Sequence, residues 1–449
     1  MTTLSDRLRG VIGGGLKSHD GSKEQDPSYT ETITASCADA TADVLDGQWH
    51  ERNGQRFLVV DRTYVPGHRH GSMCLADGLP PTDGMWPRLS LLGGAPSHLL
   101  FIDLETTGIA GGAGTYAFLV GCGWFDGGTF RVRQYLMSSV AGERALLTAL
   151  TEVARESGTV VTYNGKTFDL PLIETRYLFH RMESPFAGMP HVDMLHPARR
   201  LWRPLGDAPR PAGSDDGRVS AFESACRLTT LERTQCGFER EGDVPGWEIP
   251  DRYFAFVRSG DARHLEGVLE HNRLDILSLA LVTAQTCQML DEGPAAARSA
   301  REALGLGRIY LSGGRVQEAR ECFADAGGLS GPRDRAAEGW HHGAVVVQAE
   351  ALRAFALISR RARQFDDAEL AWRRVLELEG SPPQIVREAT DALAVHYEHR
   401  RRDLRAAKSY ALRSLGFEVS PSREDAIRHR VARLDRKLER AETVPALLF

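Results

Sequence analysis

The sequence predicts an α/β domain, a mixed five-stranded sheet flanked by helices, followed by an all-α domain of tetratricopeptide-like helical repeats. Three observations carry this. From residue 98, short β-type runs alternate with stretches of helical period; beyond about residue 290 the strand pattern stops; and small and aromatic residues recur at fixed offsets through the last third. At 449 residues with 42% hydrophobic and 26% charged side chains, the chain is long enough for several globular domains.

Residues 1–45 are polar and lack a sustained period, which predicts a disordered N-terminal segment without the apolar run of a secretory signal. Residues 46–97 read as an extension packing on the following domain, with one strand candidate at Arg56–Asp61. In the HRHG segment that follows, His68 and His70 flank Arg69 and on an extended chain would face one way. That suits either a metal or phosphate contact or a local structural cluster.

The α/β domain is expected over 98–290. His98–Asp103 is an apolar run ending in an acid, as in a central strand whose end opens onto a site. Thr115–Trp124 and Thr129–Met137 read as a hairpin around Phe-Asp-Gly-Gly. Glu143–Glu156 has helical spacing, Thr159–Tyr163 is a fourth strand, Leu170–His180 a helix, and HVDML at 191–195 ends a fifth strand. Residues 204–219 form a breaker-rich loop, and helical pattern resumes at 220–236 and 261–290. Repeats are expected over 297–440, with a non-repeat helical bundle as the alternative. Gly307, Tyr310, Ala319, Phe323 and Ala326 fill the offsets of one unit. Ala356, Ala368 and Trp372 fill part of a second, and Ala394, Tyr397, Ala406 and Tyr410 part of a third.

The chemistry concentrates in three acidic segments. Asp103 and Glu105 are two apart on a strand, so their carboxylates share a face, an arrangement best explained by a divalent cation, although surface strands also carry such pairs routinely. Thr106-Thr107-Gly108 then permits a tight turn near a phosphate. In Tyr163–Asp169, Asn164 can bond to the loop or to substrate, Phe168 offers a face to a base or to the core, and Asp169 is either a first-turn acid or a ligand. His271 and Asp275 stack at i, i+4 on one helical face, as a solvated pair or as a base beside a metal ligand. Asp193 could support the site or orient Arg199 or Arg200.

Together these segments resemble the DEDD exonuclease superfamily of ribonuclease H-like folds: DxETTG at 103–108, NxxxFD at 164–169, and a final acid preceded by a His. The four-residue gap from His271 to Asp275 departs from the usual His-bearing pattern and matches the Tyr-bearing branch. With the HRHG segment, TYNGKTFD, HNRLD and the C-terminal repeats, nearly the whole chain resembles the YprB-like family. The resemblance implies a metal-dependent 3′–5′ exonuclease on DNA, acting in lesion repair beside a DEAD/DEAH-type helicase. It assigns Asp103, Glu105, Asp169 and Asp275 as ligands of two Mg²⁺ or Mn²⁺ ions, and His271 as the base. Thr106, Thr107, Asn164 and Phe168 would meet the terminal nucleotide. RNA as substrate, and a repeat-based adaptor that recruits a protein partner, are the alternatives.

Composition sets the bounds. No stretch of about 18 apolar residues could span a bilayer. Seven scattered cysteines without a CxxC pair argue against a disulfide framework and fit a reducing cytoplasm. The net charge of −5 shows no basic excess, but residues 297–449 hold 27 Lys+Arg and 22 Asp+Glu, so the rear third carries +5 and the remainder −10.

Overall fold

A computed structural model describes residues 35–80, 86–108, 114–203, 225–330, 344–415 and 421–443. The segment read as disordered contains a helix, α1 (Ala35–Leu45); residues 1–34 and the 204–219 loop lie outside the described residues. The main sheet has seven strands: β1 (Gln48–Arg52), β2 (Gln55–Tyr64), β3 (Leu99–Thr106), β4 (Ala117–Asp126), β5 (Thr129–Leu136), β6 (Thr159–Thr162) and β7 (His191–Asp193). Their order is β1-β2-β5-β4-β3-β6-β7, with β6 and β7 parallel to β3 and every other pairing antiparallel. All five predicted strands are present. The 46–97 extension adds two more to the β5 edge, one of them on the predicted Arg56–Asp61 run, because Phe57–Val60 is as apolar as β5, which it pairs; the rest of the extension packs on the domain, with Leu75, Trp86 and Leu89 in one core with Phe101 and Ile276.

Helices α2 (Glu143–Arg155) and α3 (Asp169–Phe179) cover the sheet and are clamped together by a buried pair. Both carboxylate oxygens of Glu143 accept from Arg176 at 2.6 Å, and His180 Nε2 lies 2.7 Å from Glu143. Then follow α4 (Leu195–Leu201), α5 (Ile249–Ser259) and the long α6 (Arg263–Glu292), which packs on β3 and β4. The 220–236 reading reduces, within the described residues, to one helical turn at Leu228–Leu231 and a wider turn at Glu232–Cys236; α5 was not predicted.

Among the described residues, seven α-helices follow: α7 (Ala300–Ser312), α8 (Val316–Ala326), α9 (Ala344–Arg361), α10 (Phe365–Glu377), α11 (Pro383–His396), α12 (Leu404–Ser414) and α13 (Pro421–Thr443), each packing on the next. The residues singled out for the first unit lie at the α7–α8 crossing, where Gly307 faces the Phe323 ring and Ala319 is buried. This all-helical region is joined firmly to the sheet domain. Leu201 enters its core, Trp202 donates to Glu302 at 3.1 Å, and α4 and α7 touch so closely that a Cβ on Gly305 would sit 2.3 Å from the Arg200 carbonyl oxygen.

Candidate active site

The site is built on the middle of the sheet. Asp103 on β3 lies opposite Gly121 on β4, which lies opposite Gln134 on β5, forming one cross-strand row. The missing side chain at Gly121 lets α6 approach. Asn272, fully buried, sits over the gap, accepts from Gln134 at 2.9 Å and donates to Asp103 Oδ2 at 2.8 Å. Gln134 also donates to the Leu269 carbonyl at 2.8 Å. A polar group buried on a helix must find such partners, and here they set the height of α6 above β3. A Cβ on Gly121 would stand 2.2 Å from Asn272 Oδ1. Gly121→Ala is therefore expected to destabilise the protein by about 1–3 kcal/mol, read as a lowered urea midpoint.

That docking brings His271 and Asp275 of α6 to the carboxylates of β3. The third acid comes from the loop after β6. Asn164 takes a left-handed conformation (φ 65°), which Asn tolerates, and the chain turns back to start α3 at Asp169. Asp193 at the end of β7 holds this loop: it accepts from the amides of Asn164 (2.8 Å), Lys166 (3.1 Å) and Leu195 (3.1 Å). Its role is thus to position Asn164 and Asp169, and its carboxylate is spent on backbone amides, not on Arg199 or Arg200. Tyr163 donates to the Cys226 carbonyl and packs on the core.

The electrostatics show how crowded the acids are. Burial, then the charge of Asp275, pushes the Asp103 carboxyl up to about 7. Glu105 is held well above its usual range by burial and then by Asp103, Asp275 and Asp169. Asp169 is raised by burial and then by Asp103, Asp193 and Asp275. Carboxylates from three separated segments thus lie within each other's fields, the circumstance in which hard divalent cations bind oxygen ligands. Among the described residues, no group of three or more His, Cys, Asp or Glu side chains is arranged so that it could hold a metal ion as it stands.

His271 sits at the edge of this cluster. Its Nδ1 is 2.7 Å from Asp243 Oδ1 and its Nε2 is 3.7 Å from Asp275 Oδ2. Burial, the largest single influence, works to raise Asp243, but the bond to and charge of His271 together with the charge of and bond to Arg240 outweigh it and keep Asp243 below the usual range; as an ionised acceptor it fixes a proton on Nδ1. Burial opposes charge on His271, yet Asp243 and Asp275 raise its pKa overall.

The remaining predicted residues surround the cluster. Thr106 Oγ1 donates to the Gly108 carbonyl at 3.1 Å, and the Thr107 hydroxyl accepts from the Tyr116 amide at 3.0 Å, closing the end of β3. Phe168, next to Asp169, is 55% exposed. The two histidines of HRHG do not face one way, because a turn at His68 breaks the alternation before the short Arg69–His70 strand. His68 lies against the Tyr64 ring, while His70 is buried on Glu232 and Ser278. Sequence reasoning missed Asn272, Gln134, Arg240, Asp243 and Glu232. Asn272 had a signal: it falls in the apolar stripe of α6 with Val268 and Ile276, where an amide needs a partner.

Residues 100–287 match the RNase_H superfamily. The fold of this part is ribonuclease H-like. The chain is also 28% identical over 397 residues, 85% of its own length and 86% of the relative's, to a protein of Bacillus subtilis (strain 168) named "Uncharacterized protein YprB". The ribonuclease H-like match spans β3 to α6 and thus all the acids discussed above, whereas β1, β2 and the HRHG segment lie before it. Among the described residues, no helix is long and apolar enough to cross a membrane.

Proposed function

We propose that the protein is a metal-dependent DEDD-type exonuclease that releases nucleotides from the 3′ end of DNA, in the repair of DNA lesions. The observation that carries this is the convergence of Asp103, Glu105, Asp169 and Asp275, from β3, α3 and α6, with His271 beside them. Ribonuclease H-like domains are associated with nucleic-acid hydrolysis, and an all-oxygen donor set suits Mg²⁺ or Mn²⁺. Two such ions, when bound, would neutralise the carboxylates and favour attack of water on the scissile phosphate.

The chain's own residues then supply orientation and proton transfer. Asp243 holds the proton on His271 Nδ1 and leaves Nε2 to take one from the attacking water, while its charge stabilises the imidazolium that forms. Water adds to phosphorus and the bond to the 3′-oxygen breaks. Phe168 offers its exposed ring to the terminal base, and Thr106, Thr107 and Asn164 border the nucleotide.

The helical region, read as tetratricopeptide-like repeats, would carry a protein partner, the DEAD/DEAH-type helicase implied by the sequence resemblance, and part of the DNA-binding surface. The turns at 361–364 and 397–403 adjoin: Arg400 lies over the Phe365 ring, and Arg401 pairs with Asp366 at 2.8 Å. Arg361, Arg363 and Arg402 are exposed beside them. Replacing these three by Ala is expected to weaken DNA binding and to flatten its salt dependence by about one unit of slope for each phosphate that is no longer neutralised. Titration at several salt concentrations reads this.

The experiment that tests the assignment is digestion of matched DNA and RNA, labelled at the 5′ or the 3′ end, single- and double-stranded. The expected result is early release of the 3′ label from DNA and a shortening ladder from the 5′ label. Preferential loss of RNA would move the activity to an exoribonuclease, and internal cleavage would overturn the exonuclease reading.

A further inference from the structure

Arg240 plays no part in the hydrolytic scheme, yet three carboxylates bind it into the site. Its side chain is only 5% exposed. Nε donates to Glu232 Oε2 at 2.7 Å, Nη1 to Asp243 Oδ2 at 3.2 Å, and Nη2 to Asp275 Oδ1. Glu232 is itself sealed in the interior. Ser278 donates to its Oε1 at 2.5 Å, and His70 Nε2 lies 3.1 Å from the same oxygen and 2.8 Å from Ser278 Oγ. The His70 ring is fixed by stacking on Phe238, with centroids 4.0 Å apart. Asp275 and Ser278 lie at i, i+3 on one face of α6, so the chain of bonds leaves that helix at Ser278 and returns to it at Asp275.

We propose that Arg240 is a positioning residue, mounted on the buried His70–Ser278–Glu232 chain, that aims Asp275 and the Asp243–His271 pair while weakening the site's hold on its divalent ion. The inference rests on the hydrolytic reading above. Two consequences of the geometry carry it. First, one planar fork contacts both Asp275 and Asp243, the two acids that flank His271, so the spacing of acid, base and acid is fixed by a single rigid group. Lys, a point charge with no fork, cannot reproduce this. Second, a guanidinium at hydrogen-bond distance from Asp275 places a positive charge beside an oxygen pair that a metal ion would share, and the two cations oppose each other. His70 belongs to the segment before the ribonuclease H-like match, which gives the HRHG motif a purpose: it closes the donor set around the buried Glu232 so that Arg240 cannot swing away.

The test compares wild type with Arg240→Met, Arg240→Lys and His70→Leu. Mn²⁺ affinity is measured by calorimetry without nucleic acid, kcat and KM on single-stranded DNA, and folding by thermal melts in EDTA. Arg240→Met is expected to bind Mn²⁺ several-fold more tightly while kcat falls by about 10- to 100-fold with little change in KM. Arg240→Lys restores the wild-type Mn²⁺ affinity, since the charge returns, but not kcat, since the fork does not. His70→Leu lowers kcat in the same direction and supplies the test should Arg240→Met fail to fold. Parallel loss of Mn²⁺ affinity and kcat in Arg240→Met, or a kcat within twofold of wild type, would overturn the proposal. If wild type binds Mn²⁺ and cleaves no nucleic acid, the hydrolytic reading fails, and with it the kcat half of the proposal; the affinity comparison still decides whether Arg240 opposes the ion.

Discussion

Asp103→Asn is expected to abolish nucleotide release, by on the order of a thousandfold, while making the metal-free protein more stable. The two effects share one cause. Asp103 lies in the middle of the sheet, pressed by burial and by the charge of Asp275, and its carboxyl is pushed up to about 7. Removing that charge relieves repulsion with Asp275, Glu105 and Asp169, and the gain is about 1–3 kcal/mol near neutral pH. The amide keeps the one hydrogen bond that matters for packing, since an Asn oxygen at this position still accepts from Asn272 Nδ2, which lies 2.8 Å from Asp103 Oδ2. Opposite signs for activity and stability separate a charged working site from a structural one. The measurement is a pair: label release with Mn²⁺, and the urea midpoint of the same sample in EDTA.

The second large effect concerns pH and metal together. For Asp103 the unfolded chain loses its proton near the ordinary carboxylate value of 3.8, whereas the folded chain keeps it to about 7. Between those values the native state binds more protons than the unfolded one at this group, so the contribution of Asp103 to stability is fully present below about pH 4 and is lost as pH rises through about 7. Glu105 and Asp169, raised for the same reasons, act in the same direction. Divalent ions bind the ionised form and reverse the loss. Mn²⁺ at about 100 times its dissociation constant is expected to contribute about 2.7 kcal/mol, a rise in Tm of about 3 °C for a chain of this length, at pH 7.5 and much less at pH 5. Melts across this range with Mn²⁺ or EDTA test it, and equal Mn²⁺ shifts at both pH values would contradict it.

The parts of this protein legible in its sequence are those set by local period. Two-residue spacing put Asp103 and Glu105 on one face of a strand, four-residue spacing put His271 above Asp275 on one helix, and the strand-to-helix junction put Asp169 in a first turn. What was not legible was long-range pairing of buried polar groups. Arg240 and Asp243 lie between helical stretches in a segment that looks like ordinary polar connection, and Glu232 reads as one more charged residue of the 220–236 stretch. Only the fold brings them to α6 and to His70, which is 162 positions from Glu232. The edge strand β1 was missed for a related reason, while β2 was anticipated by the Arg56–Asp61 run: strand pairing is a property of the partner as much as of the run itself. The global charge of −5 also misled, because it averages an acidic site over a more basic helical region.

The most direct test is release of the terminal nucleotide from end-labelled single-stranded DNA by purified full-length protein, with Mg²⁺ or Mn²⁺ and with EDTA. Metal-dependent release that disappears in EDTA and in Asp169→Asn, with the variant still folded, is the expected result. Release that persists undiminished in EDTA or in Asp169→Asn would contradict a hydrolytic site built from these four carboxylates.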